Sequence, residues 1–143
     1  MHVVAKSILV FGLYMMTELA FGFEIVGEQI NLNGKITSIE LTDTGGVINV
    51  VSDNERYGKT WLTYNLKMSN PNSFDQGSFV GRATAINSDG SRASSTRQGV
   101  WSRERHVYSF VSLDDASDGN QYLCMTQMNL MDDSVTMRFF QKP

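Results

Sequence analysis

Three side chains in this sequence are candidates for acid–base or anion-binding chemistry: Arg82, His106 and Tyr64. Arg82 lies in the middle of the strand-like run 79–86, where alternation places it on one face with Val80. A mid-strand arginine could line a polar lumen and bind an anionic group with two parallel hydrogen bonds. The alternative is an outward, solvated arginine.

His106 opens the run 106–113 and shares a face with Tyr108. A histidine beside a tyrosine can act as a general acid or base near neutral pH. However, His106 follows the charged segment 103–105, which is typical of a hairpin tip, and a histidine at a strand end need not transfer any proton. Tyr64 is the third catalytic candidate, because it lies mid-strand and could point its hydroxyl into a cavity.

Large aromatic side chains recur in the strand-like runs and are candidates for lining a ligand cavity. The predicted ligand-binding set is Trp61, Tyr64, Arg82, Trp101, Tyr108 and Tyr122. The alternative for the two tryptophans is structural, since an indole also closes the end of a barrel or fills its core.

Metal and thiol chemistry find little support. The acidic segment 114–119 resembles a calcium loop only in part, because position 116 is alanine and no suitably placed glutamate follows, so a solvated acidic turn is favoured. A single cysteine excludes intrachain disulfides and a thiolate zinc cluster. Cys124 shares a face with Tyr122 and Thr126, and is either buried and inert or paired between chains. The sequence predicts no metal and no cofactor.

Length and charge narrow the class of protein. The chain has 143 residues, which fits one domain, and a net charge of −3 with a pI near 5.3. Proteins that bind nucleic acid usually need a basic face, so nucleic acid is not an expected partner. The 41% hydrophobic and 19% charged content argues against wholesale disorder.

The first 22 residues have the layout of a secretory signal peptide. Lys6 precedes an apolar run over 7–16, and Ala20 and Gly22 form a small-x-small site. Cleavage after Gly22 predicts a secreted or periplasmic protein with no stable membrane anchor. An uncleaved anchor and a buried N-terminal helix are the alternatives. The apolar run is short for an anchor, because a membrane-spanning helix needs about 20 residues.

Residues 23–143 are predicted to form a single all-β domain. Short runs rich in Val, Ile, Thr, Phe and Tyr alternate with Gly, Asn, Asp and Ser clusters, without a sustained helical period. Strands are expected near 24–32, 35–42, 46–52, 59–69, 77–88, 93–103, 105–113, 120–130 and 134–141. Asn33-Gly34 predicts a tight hairpin. This pattern predicts an antiparallel meander closing into a barrel of about eight strands, with a β-sandwich as the alternative.

Two short stretches resemble known small barrels. The segment Gly77–Ala83 is similar to the glycine–arginine strand of allene oxide cyclase-like (dirigent-like) barrels, with Arg82 at the matching position. Asp89-Gly90 followed by 98–101 resembles the turn-and-strand rhythm of calycin-type barrels. Lipocalins carry their Gly-x-Trp near the first strand, whereas Gly99-Val100-Trp101 comes late here. The resemblance implies a secreted barrel with a cavity that binds an apolar molecule or directs its cyclisation.

Three functions follow as hypotheses. The first is an exported barrel that binds an apolar or amphipathic small molecule in its lumen. The second is a cyclase or isomerase in which Arg82, Tyr64 or His106 polarises the substrate or transfers a proton. The third is a β-sandwich module that binds a protein partner. The sequence leaves ligand identity and homo-oligomerisation open.

Overall fold

The computed structural model describes residues 28–143, and every regular element in that range is a β-strand. The strands are β1 (Gln29–Thr42), β2 (Gly45–Asn54), β3 (Gly58–Lys67), β4 (Gln76–Ile86), β5 (Arg92–Glu104), β6 (Val107–Ala116), β7 (Gln121–Asn129) and β8 (Ser134–Gln141). The predicted signal peptide and the start of the first predicted strand lie outside the described residues. Within 28–143 no helix is long and apolar enough to cross a membrane.

The eight strands form one closed barrel in sequence order, and every neighbouring pair is antiparallel. This confirms the predicted all-β meander and its closure into an eight-stranded barrel; the β-sandwich alternative is not formed. Closure pairs β1 with β8, so neither terminal strand of the sheet has an open edge.

The predicted hairpin at Asn33-Gly34 is wrong. Both residues lie inside β1, where Asn33 pairs with Thr136 and Gly34 pairs with Val135. The first part of β1 pairs with β8 and the later part pairs with β2; Lys35 belongs to both ladders. A register shift between residues 36 and 38 bends the strand at this change of partner. The Asn-Gly pair therefore marks the bend that closes the barrel rather than a chain reversal.

Alternation along the strands produces the interior. In β3 the buried residues are Thr60, Leu62, Tyr64 and Leu66, which alternate with more exposed neighbours. Strands β4 and β5 contribute mostly small inward residues, including Gly77, Gly81 and Ala83. Small residues on one wall leave room for large side chains from the others, which is how narrow barrels are filled.

The barrel has two different ends. One carries the turns β2–β3, β4–β5 and β6–β7 together with the start of β1 and the end of β8, and is here named the terminal end. The other carries the remaining four connections, including the long segment between β3 and β4, and is named the loop end. The indole of Trp101 stacks on Tyr108 near the loop end, with ring centroids 5.6 Å apart. The indole N–H donates to the carbonyl oxygen of Lys67 at 3.1 Å. Trp101 therefore fills this end of the barrel.

Gly77 is required for that arrangement. A Cβ at position 77 would collide with the backbone oxygen of Lys67 and approach Nε1 of Trp101 to 2.9 Å. We expect Gly77→Ala to destabilise the barrel by about 1–3 kcal/mol, because overpacked sites force neighbours to shift. Urea unfolding followed by tryptophan fluorescence measures the change, with Ser78→Ala on the same strand as control. Equal stability of the two variants would contradict this role of Gly77.

Candidate ligand-binding cavity and buried arginine network

The middle of the lumen is filled by three aromatic rings. Tyr64 lies 5.5 Å from Phe79 and 4.8 Å from Phe110, measured between ring centroids. Phe79 and Phe110 meet edge to face at 5.1 Å. The three rings block the centre of the barrel, so the lumen is not an open channel.

A single arginine lies beside these rings. Arg97, on β5, is only 2% exposed. Its Nε donates to Oδ2 of Asp114 at 3.1 Å, and one terminal nitrogen donates to the hydroxyl of Tyr64 at 2.6 Å. The other terminal nitrogen donates to Oγ of Ser112 at 3.3 Å and to Sγ of Cys124 at 3.2 Å. We call these five residues the arginine network.

Strand register brings the network together. Tyr64, Gly81, Arg97 and Asp114 occupy one row across β3, β4, β5 and β6. Gly81 lies between Tyr64 and Arg97 in this row, and because it has no side chain, the guanidinium can extend over it to the phenol. The guanidinium carbon also lies 4.8 Å from the centroid of the Tyr64 ring, within cation–π distance.

The network is satisfied internally. Four bonds leave the guanidinium, which has five N–H donors. Ser112 also donates to Oδ1 of Asp114 at 2.7 Å, so each carboxylate oxygen accepts one hydrogen bond. Within residues 28–143 no buried side-chain nitrogen or oxygen lacks a partner. A buried ion pair of this kind compensates its desolvation only when its geometry is complete, as it is here.

The electrostatics fix the protonation states. Burial acts to lower the pKa of Arg97, but the acidic groups of Tyr64, Cys124 and Asp114 outweigh it, and the net pKa is raised. Burial raises the pKa of the Tyr64 phenol, opposed by the nearby guanidinium. At neutral pH the network therefore contains a charged arginine and a neutral tyrosine.

A cavity of about 90 Å³ lies on the terminal-end side of the network. Most of its wall is apolar or small: Leu32, Leu62, Ala83, Ala85, Ala93, Ala116, Met137, Phe139 and several serines. Tyr57 and Tyr122 also line it, and Asp114 and Asp118 contribute the charged part of its wall. Burial, together with the neighbouring Tyr57, raises the pKa of Tyr122 to about 12, so this phenol is a neutral hydrogen-bonding group.

The structure places the residues predicted for the site in different parts of the barrel. Tyr64, Trp101, Tyr108 and Tyr122 are buried inside the barrel, but only Tyr122 lines the cavity. Tyr64 belongs to the arginine network, and Trp101 and Tyr108 fill the loop end.

The other predicted residues lie outside the lumen. Arg82 is exposed on the outer face of β4, and Trp61 is 44% exposed on β3. His106 is exposed in the turn between β5 and β6, away from Cys124, which pairs with Ser112 further along β6. The structure therefore does not bring Arg82 and His106 together with the buried polar groups.

The acidic segment 114–119 is not a uniformly solvated turn. Asp114 and Asp115 belong to β6, and Asp114 is 4% exposed and paired with Arg97. Only the end of the segment forms the β6–β7 turn, where Asp118 accepts a bond from the backbone N–H of Asn120. No group of three His, Cys, Asp or Glu side chains in residues 28–143 is arranged to hold a metal ion.

The network's centre, Arg97, is absent from the predicted site. Strict alternation counted back from Trp101 places Gly99, Arg97 and Ser95 on the same inward face. Likewise, the face of Tyr108 and Phe110 continues to Ser112 and Asp114. The signal in the sequence was the presence of opposite charges at inward positions of consecutive strands, Arg97 on β5 and Asp114 on β6.

Cys124 provides a test of the buried environment. Burial raises the pKa of its thiol from 9.0 to about 11, opposed by Arg97. We expect the folded protein to react with a thiol reagent such as dithiobis(nitrobenzoate) only as fast as it unfolds, because the thiolate is the nucleophile. Modification of native Cys124 at the rate of a free thiol would contradict the structure.

The raised pKa also makes stability depend on pH. As pH rises, the unfolded chain loses the Cys124 proton near pH 9, before the folded chain does. The contribution of this thiol to the unfolding free energy is therefore complete below pH 9 and is lost towards pH 11. We expect Cys124→Ala to flatten the alkaline fall in unfolding free energy by up to about 2 kcal/mol. Urea titrations between pH 8 and 11 measure it. An unchanged slope in the variant would contradict the prediction.

Comparison of the sequence with protein-family models and with curated proteins, and of the structure with solved structures, finds no match. The eight-stranded barrel is established by the structure itself, whereas the resemblance to calycin-type and allene oxide cyclase-like barrels stays a prediction.

Proposed function

We propose that this protein binds a small apolar or amphipathic molecule in the cavity at the terminal end. We also propose that the protein is exported and that its signal peptide is cleaved after Gly22. The observation that supports binding is the cavity wall, which is mostly apolar or small and carries the buried carboxylate of Asp114. Ligand sites commonly combine such a lining with a few fixed polar groups.

The cavity limits the size of the ligand. Pockets that enclose drug-sized molecules measure roughly 300–1,000 Å³, compared with about 90 Å³ here. The buried part of the ligand is therefore one small group, such as a single ring or a short alkyl chain. Any remainder of the molecule extends past Tyr57 and Tyr122 towards the barrel end.

Asp114 determines which polar group of a ligand can bind in the cavity. Each of its oxygens accepts one bond within the protein, and a carboxylate has about four acceptor positions. The remaining acceptor capacity favours a ligand that donates a hydrogen bond, such as an alcohol, phenol or amine. An anionic ligand would meet the carboxylate with like charge.

The cyclase or isomerase alternative has weaker support. It depended on Arg82, His106 and Tyr64, of which the first two are exposed outside the lumen and the third is engaged by Arg97. Binding without a reaction is the function that the geometry supports best.

An NMR titration with phenol and toluene tests the proposal. The two probes have similar shapes, and only phenol donates a hydrogen bond. We expect saturable shift changes at the amides of Ala83, Ala93 and Tyr122, with phenol binding at least several-fold more tightly than toluene. We expect Ala83→Leu, which fills the cavity, to abolish the changes, while Thr84→Leu, its outward neighbour, retains them. Absence of saturable shifts for both probes, or binding that persists in Ala83→Leu, would overturn the proposal.

A further inference from the structure

The outer surface of strands β4 to β7 is unusual because large apolar residues cluster there on neighbouring strands. Val80 is 59% exposed and Leu113 is 63% exposed, while Val100 and Val111 are 58% and 42% exposed. Leu123 and Phe140 continue the row of Val80 and Leu113 across β7 and β8. A contiguous exposed patch of this kind usually marks an interaction surface.

Strand register places these residues in ordered rows centred on β5. One row runs Val80, Gln98, Leu113 across β4, β5 and β6, and the next runs Ser78, Val100, Val111. A third row, towards the terminal end, runs Arg82, Thr96, Asp115. The first two rows carry no charge, and the third has one positive and one negative side chain placed symmetrically about β5.

From this symmetry we infer that the outer face of β4–β6 binds a second copy of the same chain, with the twofold axis of the dimer running along β5. Such an axis places β4 of one copy opposite β6 of the other. Each row of one copy then faces the same row of its partner. Contacts across a twofold axis are reciprocal, so each pairing occurs twice.

The rows of Val80 and of Arg82 are complementary to themselves under this operation. Val80 meets the partner's Leu113, which places apolar surface against apolar surface. Gln98 and Val100 lie on the axis and meet their own copies, and the side-chain amide of Gln98 can both donate and accept. Arg82 meets the partner's Asp115, which places opposite charges together at both ends of the row.

Arg82 and Asp115 are available for this contact. Neither forms an ion pair with another side chain within residues 28–143. Asp115 accepts only a 3.5 Å bond from Gln121, and both residues are exposed. On β1, by contrast, the exposed residues Ile39 and Leu41 lie on either side of Glu40.

Sedimentation equilibrium of the whole protein across a concentration series tests the inference. We expect a reversible monomer–dimer equilibrium that Leu113→Lys weakens at least tenfold, because it buries a charge against Val80. The control is Leu41→Lys, which changes an equally large exposed residue on β1 and should leave dimerisation unchanged. Circular dichroism confirms that both variants retain the fold.

A charge exchange tests the position of the axis. Arg82→Asp and Asp115→Arg alone each place like charges together, and we expect each to weaken the dimer several-fold. The double variant restores opposite charges at both contacts and should recover the dimer. A dimer that is insensitive to the exchange would overturn the proposed axis. A monomer at all concentrations would overturn the inference, as would a monomer that binds phosphatidylcholine vesicles through this face.

Discussion

Replacing Arg97 with methionine is expected to destabilise the barrel by about 3–5 kcal/mol, because removal of one member of a buried ion pair leaves the other uncompensated. In this variant the carboxylate of Asp114 loses its 3.1 Å partner while remaining 4% exposed. The hydroxyl of Tyr64 and the thiol of Cys124 lose donors at the same time. Small domains are stable by about 5–15 kcal/mol in total, so this loss is a large share.

Arg92 provides the matched control on the same strand. It is exposed at the start of β5, and Arg92→Met should change unfolding free energy by no more than about 0.5 kcal/mol. Both variants are measured by urea unfolding monitored by circular dichroism. If Arg97→Met fails to fold, Asp114→Asn gives a milder test, because it retains an acceptor for Arg97. Stability of Arg97→Met equal to that of Arg92→Met would contradict the network.

The double variant Arg97→Met with Asp114→Leu separates pairing from packing. Well-packed apolar residues can replace a buried ion pair at little cost, whereas breaking the pair is costly. We therefore expect the double variant to recover most of the stability lost in Arg97→Met. A loss equal to the sum of the single losses would show that the two residues act independently, contrary to their hydrogen bond.

Phe110→Ala is expected to have a comparable effect through a different cause. Phe110 is 1% exposed and contacts both Tyr64 and Phe79 at the centre of the lumen. Truncation of a buried phenylalanine costs about 3–5 kcal/mol, because contacts are lost and a cavity remains. Urea unfolding measures the loss.

Phe74 provides the control for that variant. It is 75% exposed between β3 and β4, so Phe74→Ala should leave the unfolding free energy nearly unchanged. The central truncation also removes one of the rings that block the lumen, and we expect phenol to bind Phe110→Ala with altered affinity. A Phe110→Ala barrel as stable as Phe74→Ala would contradict the assignment of these rings as the centre of the core.

The strands could be predicted because their signals are local, and closure was predicted from their number and from the need to remove open edges. Alternation in β3 assigns Leu62, Tyr64 and Leu66 to one face without knowledge of any other strand. The failure at Asn33-Gly34 has a physical reason: these residues favour turns, but a long closing strand also needs a residue without a side chain where it changes partner. A Cβ at Gly34 would lie 2.8 Å from the backbone oxygen of Val51.

The site was harder to predict because its signal is not local. Arg82 and Arg97 are both mid-strand arginines, and within β5 only the alternation with Trp101 indicates that Arg97 faces inward. What places Arg97 inside is the partner Asp114 opposite it on β6 and the gap at Gly81 on β4. Those relations exist only once register is known, so the sequence alone did not identify the pairing of Arg97 with Asp114.

Native mass spectrometry of the protein purified from its own source tests the central claim most directly. We predict that the wild-type protein retains a small molecule under mild conditions, and that Ala83→Leu expressed in the same source lacks it while Thr84→Leu keeps it. A ligand-free mass for the wild-type protein under all mild conditions, or the same bound mass on Ala83→Leu, would contradict a ligand in the cavity at the terminal end.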